Sequence, residues 1–176
     1  MIGLTGISDQ GLLRSNAPDC VVELPGLSIT GEQWFTEVES VDIETLYNVT
    51  DDLIFANSSL PSITAPNLVT IVGDFNITNC SSLTSLSFPK LQSIGGNFLM
   101  GGDSQLLNLT GFPALTTVGG SIDWAGVFDI ASLPQINTVD GGINVQSSSN
   151  TFKCPFPQLR TNGAVKGSGA RKRWRR

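Results

Sequence analysis

The segments "PKLQSIGGNFLM" (89–100) and "PALTTVGGSIDW" (113–124) follow one template. With proline as offset zero, Leu or Ile stands at +2, Ile or Val at +5, Gly at +7, and apolar residues at +9 and +11. Pro66 opens a third copy (Leu68, Ile71, Gly73, Phe75, Ile77) and Pro134 a fourth (Ile136, Val139, Gly141, Ile143, Val145). The prolines are 23, 24 and 21 residues apart. Further apolar pairs recur at +17 and +20: Leu83 and Leu86, Leu106 and Leu109, Ile130 and Leu133. A degenerate copy begins near Glu44, with Leu46, Val49, Leu53 and Phe55 in the apolar slots and Asp51 in place of glycine.

A unit of this length, repeated with its apolar slots in register, cannot bury its own face; it must stack on its neighbours. The +9 and +11 residues alternate with polar ones, as on a half-buried strand. "GDFNIT", "GGNFLM", "GGSIDW" and "GGINVQ" each supply one such strand. Glycine before it permits a tight bend or close approach, and proline opens the preceding turn, where its missing N–H costs nothing. The expected fold is all-β: a short right-handed parallel β-solenoid with coils about 4.8 Å apart. Upstream, "TGEQWFTEVES" reads as a short helix capping the open end. Thr30 and Gln33 form a capping-box pattern, and Trp34, Phe35 and Val38 make one apolar face. The expected division is a disordered segment over 1–19, the solenoid over 20–165, and a basic disordered tail over 166–176.

The repeat, with "DDLIFANSSLPSITAPNLVTIVGDFNITN", "LTSLSFPKLQSIGG", "GFPALTTVGGSIDW" and the closing "CPFPQLRTNGAVKGS", resembles a receptor L-domain, and more closely the fungal GPI-anchored cell-wall organisation proteins. The resemblance covers roughly residues 40 to 165. It implies a leucine-rich-repeat-like solenoid in a secreted, N-glycosylated cell-surface protein that supports the wall without catalysis. The implied partners are wall polysaccharide or a wall or surface protein. Membrane contact is expected only through a GPI anchor or membrane segment absent from this chain, which reads as a truncated member. No cofactor is implied.

Composition narrows the chemistry. The chain has no histidine, so triads and metal sites built on imidazole are excluded. The net charge of −5 hides an asymmetry: five of ten basic residues lie in "RKRWRR", leaving an acidic body. An acidic body argues against nucleic acid as the partner, and the tail reads as a solvated extension or an artefact of splicing. Cys20, Cys80 and Cys154 are widely spaced and odd in number, so at least one is unpaired within the chain. Cys80 is read as a partner for Cys20 or as a free thiol. Cys154 is read, by the resemblance, as one end of a C-terminal disulfide loop.

Five N-x-S/T sequons fall at Asn48, Asn57, Asn76, Asn79 and Asn108. They read as N-glycosylation sites or, in the plainer reading, as turn residues closing coils through side-chain-to-backbone bonds. The outward strand slots at +8 and +10 include Asp52, Asp74, Asn97, Ser121, Asp123 and Asn144, the expected interaction face. A carbohydrate-active enzyme would need paired carboxylates there. Asp74 and Asp123 would stand two rungs apart, about 9.6 Å, in different columns and with no third acid. A solvated polar face is the stronger reading. An intracellular leucine-rich-type scaffold is the other alternative.

Overall fold

The computed structural model describes residues 40–152 throughout, and outside them only strand segments. Each coil is a short strand, a longer strand and a second short strand. The N-terminal segments are β1 (Ile2–Gly3), β2 (Gly11–Arg14), β3 (Val21–Glu23), β4 (Ser28–Ile29), β5 (Gln33–Thr36) and β6 (Ser40–Asp42). The degenerate copy forms β7 (Asn48–Val49), β8 (Leu53–Ala56) and β9 (Ser62–Thr64). The Pro66 copy forms β10 (Thr70–Ile71), β11 (Phe75–Thr78) and β12 (Ser85–Ser87), and the Pro89 copy forms β13 (Ser93–Ile94), β14 (Phe98–Asp103) and β15 (Asn108–Leu109). The Pro113 copy forms β16 (Thr117–Val118), β17 (Ile122–Gly126) and β18 (Ile130–Ala131). The Pro134 copy forms β19 (Thr138–Val139) and β20 (Ile143–Ser147), and β21 is Arg173–Arg175.

Every pairing is parallel between successive coils, so the fold is the expected all-β solenoid. The long strands stack into an eight-stranded sheet, β2-β5-β8-β11-β14-β17-β20-β21, and the first short strands into a six-stranded sheet, β4 to β19. The third side is discontinuous: β1-β3-β6, β9-β12 and β15-β18.

Each proline has a defined post. Leu68 N–H donates to Ala65 O, Leu91 N–H to Phe88 O, Leu115 N–H to Phe112 O and Ile136 N–H to Leu133 O, at 3.2–3.4 Å. Pro66, Pro89, Pro113 and Pro134 therefore sit at the second position of a β-turn, where a fixed φ is favoured. Both residues closing each turn are buried, at most 4% exposed. The slots at +5, +9 and +11 are buried in every copy, and the apolar slots of the degenerate copy (Leu46, Val49, Leu53 and Phe55) are all 0% exposed. Stacked slots become ladders: Phe75 on Phe98 and Phe88 on Phe112, each with centroids 5.1 Å apart, and Phe98 edge-on to Trp124 at 5.0 Å. Each such pair contributes about 0.5–1.5 kcal/mol beyond its buried area.

Two expectations are corrected. Within the stretch read as a capping helix, Gln33–Thr36 is strand β5, paired parallel with β2 and β8; the rest of that stretch lies outside the described residues, apart from Ser40 in β6. Trp, Phe and Thr favour strands, and the edge of β8 offers a ladder of hydrogen bonds that a helix would leave unmade. Ile130, read as a core residue at +17, is 54% exposed. The Pro113 coil is short, so Ala131 rather than Leu133 pairs with Leu109, and Phe128 is fully buried.

Candidate functional site

The outer face of the large sheet is built from the +8, +10 and +12 columns, and the first of these has work inside the fold. Asp74 N–H donates to Asp52 Oδ1 at 2.6 Å, Asn97 N–H to Asp74 Oδ1 at 2.6 Å, Ser121 N–H to Asn97 Oδ1 at 2.9 Å, and Gly142 N–H to Ser121 Oγ at 3.1 Å. Asn97 Nδ2 also donates to Asp74 Oδ1 at 3.1 Å. Each +8 side chain thus folds over the rung above and takes its backbone N–H. All five residues of this column are half-buried.

The neighbouring +7 glycines make this possible. Gly96 N–H donates to Gly73 O, Gly120 N–H to Gly96 O and Gly141 N–H to Gly120 O, at 2.8–2.9 Å. A Cβ on Gly96 would meet Asp74 Oδ1 and would lie 2.8 Å from the Gly73 carbonyl carbon. Gly120 and Gly141 are crowded in the same way by Asn97 and Ser121. Close approach, not left-handed backbone, requires glycine here, since the positive-φ glycine of the described residues is Gly102 (φ 76°).

The +10 column reads Ile54, Asn76, Leu99, Asp123, Asn144. Ile54 is buried and Asp123 exposed. Asn144 Nδ2 donates to Asp123 Oδ1 at 2.8 Å, and Gln146 Nε2 to Asn144 Oδ1 at 3.2 Å. Asn76 is half-buried, and its Oδ1 is sealed from solvent without a hydrogen-bond partner. Residues read together as an interaction face therefore divide in two. Asp52, Asp74, Asn97 and Ser121 are committed to the ladder, while Asp123 and Asn144 with Gln146 form the polar outer strip. Asp74 and Asp123, the carboxylates weighed for catalysis, lie in separate columns, each accepting an amide. Among the described residues no group of three metal-ligating side chains comes together.

A second column lies inside. Cys80 is fully buried and its thiol is free; Cys20 and Cys154 lie outside the described residues. Cys80 Sγ is 3.7 Å from Thr78 O and 3.9 Å from Phe55 O. Burial pushes the thiol up to about 12, aided by the nearby Asp103 carboxylate. Asp103, 1% exposed, accepts Cys80 N–H on Oδ1 at 2.8 Å, while Oδ2 is buried without a hydrogen bond. Burial raises its carboxyl to about 7, against the opposing pull of backbone hydrogen bonds. Reading outward faces alone misses Asp103. The signal was its equivalence with Cys80, both at +14 and both opening a turn closed by Leu106 and Leu83. Asp129 accepts hydroxyls from Ser149 and Thr151, which hold its carboxyl below the usual range.

The sequons are scattered around the coil. Asn57 and Asn79 have φ of 51° and 55°, and Asn79 Nδ2 donates to Asn57 Oδ1 at 3.2 Å. Gly102 follows in the column, its Cα facing Asn79 Oδ1 so closely that a Cβ would collide. Asn76 stands on the large sheet, Asn48 on β7 of the six-stranded sheet and Asn108 on β15 of the third side.

No family model matches the chain, and no solved structure matches it. Curated proteins do. The chain is 30% identical to a cell surface GPI-anchored protein of Arthroderma benhamiae over 165 residues, 93% of this chain and 42% of that protein. It is 35% identical to protein ecm33 of Aspergillus fumigatus over 148 residues, 84% of this chain and 36% of that protein. With sporulation-specific protein 2 of Saccharomyces cerevisiae it shares 26% identity over 151 residues, 86% of this chain and 30% of that protein. The chain thus spans less than half the length of these relatives.

Proposed function

The chain belongs to the family of fungal cell-surface and cell-wall proteins represented by these relatives, and from that premise we propose that it acts outside the cell in wall organisation, without catalysis. Its solenoid is a rigid, glycosylated module that presents the outer strip of the large sheet to wall polysaccharide or to a neighbouring wall protein.

One observation carries this reading: the large sheet's outer side chains are bonded rung to rung. The +8 ladder ties each coil to the next, and Asp123, Asn144 and Gln146 hold one another in place. A face ordered before contact loses little side-chain entropy on binding. Its amides and carboxylate match the hydroxyls of a polysaccharide. A hydrolytic site is poorly supported, because Asp74 and Asp123 lie in separate columns and each already accepts an amide.

The test is co-sedimentation of the chain with walls isolated from its source cells, with reducing sugar measured in the supernatant. Retention that falls at least tenfold in the Asp123→Ala/Asn144→Ala double variant, with no sugar released, supports the reading. Equal retention of both forms removes the face, and released sugar restores the enzyme.

A further inference from the structure

We infer that the N-linked oligosaccharides of this chain sit on Asn108 and Asn48, off the large sheet, and that Asn57, Asn76 and Asn79 stay bare. The inference rests on the secreted, glycosylated reading above and specifies where its sugars lie.

Four large apolar residues are exposed among the described residues: Tyr47 (45%), Val72 (55%), Leu107 (46%) and Ile130 (54%). All four border two sequons. Tyr47 and Leu107 immediately precede Asn48 and Asn108. Ile130 is the register partner of Asn108, and Val72 donates its N–H to Val49, beside Asn48, at 2.9 Å. Asn108 is itself exposed, as is its sequon threonine, Thr110. Pyranose rings have apolar faces of C–H groups, so the first sugars of an oligosaccharide can lie over such patches and remove them from water.

Exposure alone does not separate the sequons, since Asn57 and Asn79 are exposed and Asn48 and Asn76 half-buried; what sets the other three apart is that the fold bonds or seals part of the side-chain amide. Transfer joins Nδ2 to the anomeric carbon of a lipid-diphosphate-linked oligosaccharide. The anomeric C–O bond breaks, the lipid diphosphate leaves with its electron pair, and Nδ2 gives one proton to the transferring enzyme's base. On Asn79 that nitrogen is the atom that reaches Asn57 on the coil below, and Asn79 Oδ1 is packed against Gly102. Asn57 receives this bond in the same left-handed conformation. Asn76 is packed between Ile54 and Leu99 in register, with its oxygen sealed. Sugar at these three positions would open the amide pair or crowd the polar strip. Sugar at Asn108 and Asn48 leaves the large sheet clear.

The experiment is site mapping on the protein purified from its source cells. Glycans are released by an amidase in heavy-oxygen water, which converts each glycosylated asparagine to labelled aspartate, and the peptides are then read by mass spectrometry. Label at Asn108 and Asn48, with Asn57, Asn76 and Asn79 unlabelled, is the expected result. Label at Asn57, Asn76 or Asn79 matching that at Asn108 overturns the assignment and leaves the glycosylated wall module standing. No label at any of the five overturns both.

Discussion

Asp74 accepts the backbone N–H of Asn97, one coil above, at 2.6 Å, and the amide of the same residue at 3.1 Å. One carboxylate thus serves the backbone of its neighbour and orders the side chain that will serve the next.

Removing that acceptor leaves the half-buried Asn97 N–H without its partner. Hydrogen bonds to a charged acceptor contribute about 1.5–3 kcal/mol each. Asp74→Ala is expected to lower stability by about 2 kcal/mol in urea unfolding, whereas Asp74→Asn, which keeps an acceptor, loses less than about 1 kcal/mol. Equal losses in the two variants would show that the acceptor is not what matters.

Two glycines of the large sheet give opposite expectations. A Cβ at Gly96 meets Asp74 and the Gly73 backbone, while at Gly142 no atom of the described residues lies within 4 Å. Gly96→Ala is expected to cost about 3 kcal/mol or more, and Gly142→Ala to stay within about 0.5 kcal/mol of the parent. Thermal melts of the pair check this directly; similar melting temperatures would refute the close-approach reading.

Asp103 predicts an inverted pH dependence. Its carboxyl is raised from an ordinary 3.8 to about 7 by burial. The folded state therefore keeps a proton that the unfolded chain releases. Its contribution is fully present below the unfolded value and is lost as pH rises through about 7. Between pH 5 and pH 8 stability should fall by a few kcal/mol. The ionised form faces Cys80 on the coil below, and its register partner on the coil above, Gly126, carries no charge. Asp103→Asn should flatten the curve, and a slope unchanged in that variant would assign the dependence to other groups.

Cys80 should be inert while the coil is closed. A thiol raised to about 12 holds little thiolate at neutral pH, and burial denies access. Site-resolved mass spectrometry after iodoacetamide should find Cys80 unmodified in the folded chain and fully modified in denaturant. Rapid labelling of the folded protein would contradict the buried position.

The coil-to-coil register was legible because it is written in spacing: Pro, +2, +5, +9 and +11 map onto turns and buried slots without exception in four copies. The third side was not, because a shorter loop moves the inward position from Leu133 to Ala131 in the pairing with Leu109. The strand at Gln33–Thr36 was hidden by a capping-box pattern that is purely local, whereas its partner strands lie a full coil away on each side. The candidate face was legible only in outline. Alternation places Asp74 and Asp123 on the same side of the sheet, but it cannot tell a side chain that bonds to the next rung from one left at the surface.

The central claim, that the large sheet meets the wall, is tested most directly by photo-crosslinking in the source cells. A benzophenone side chain placed at Asp123, on that sheet, is compared with one at Gln135, exposed on the turn after Pro134. The account predicts capture of wall polysaccharide or wall protein from Asp123 and not from Gln135. Capture from Gln135 alone, or from neither position in wall-resident protein, would contradict it.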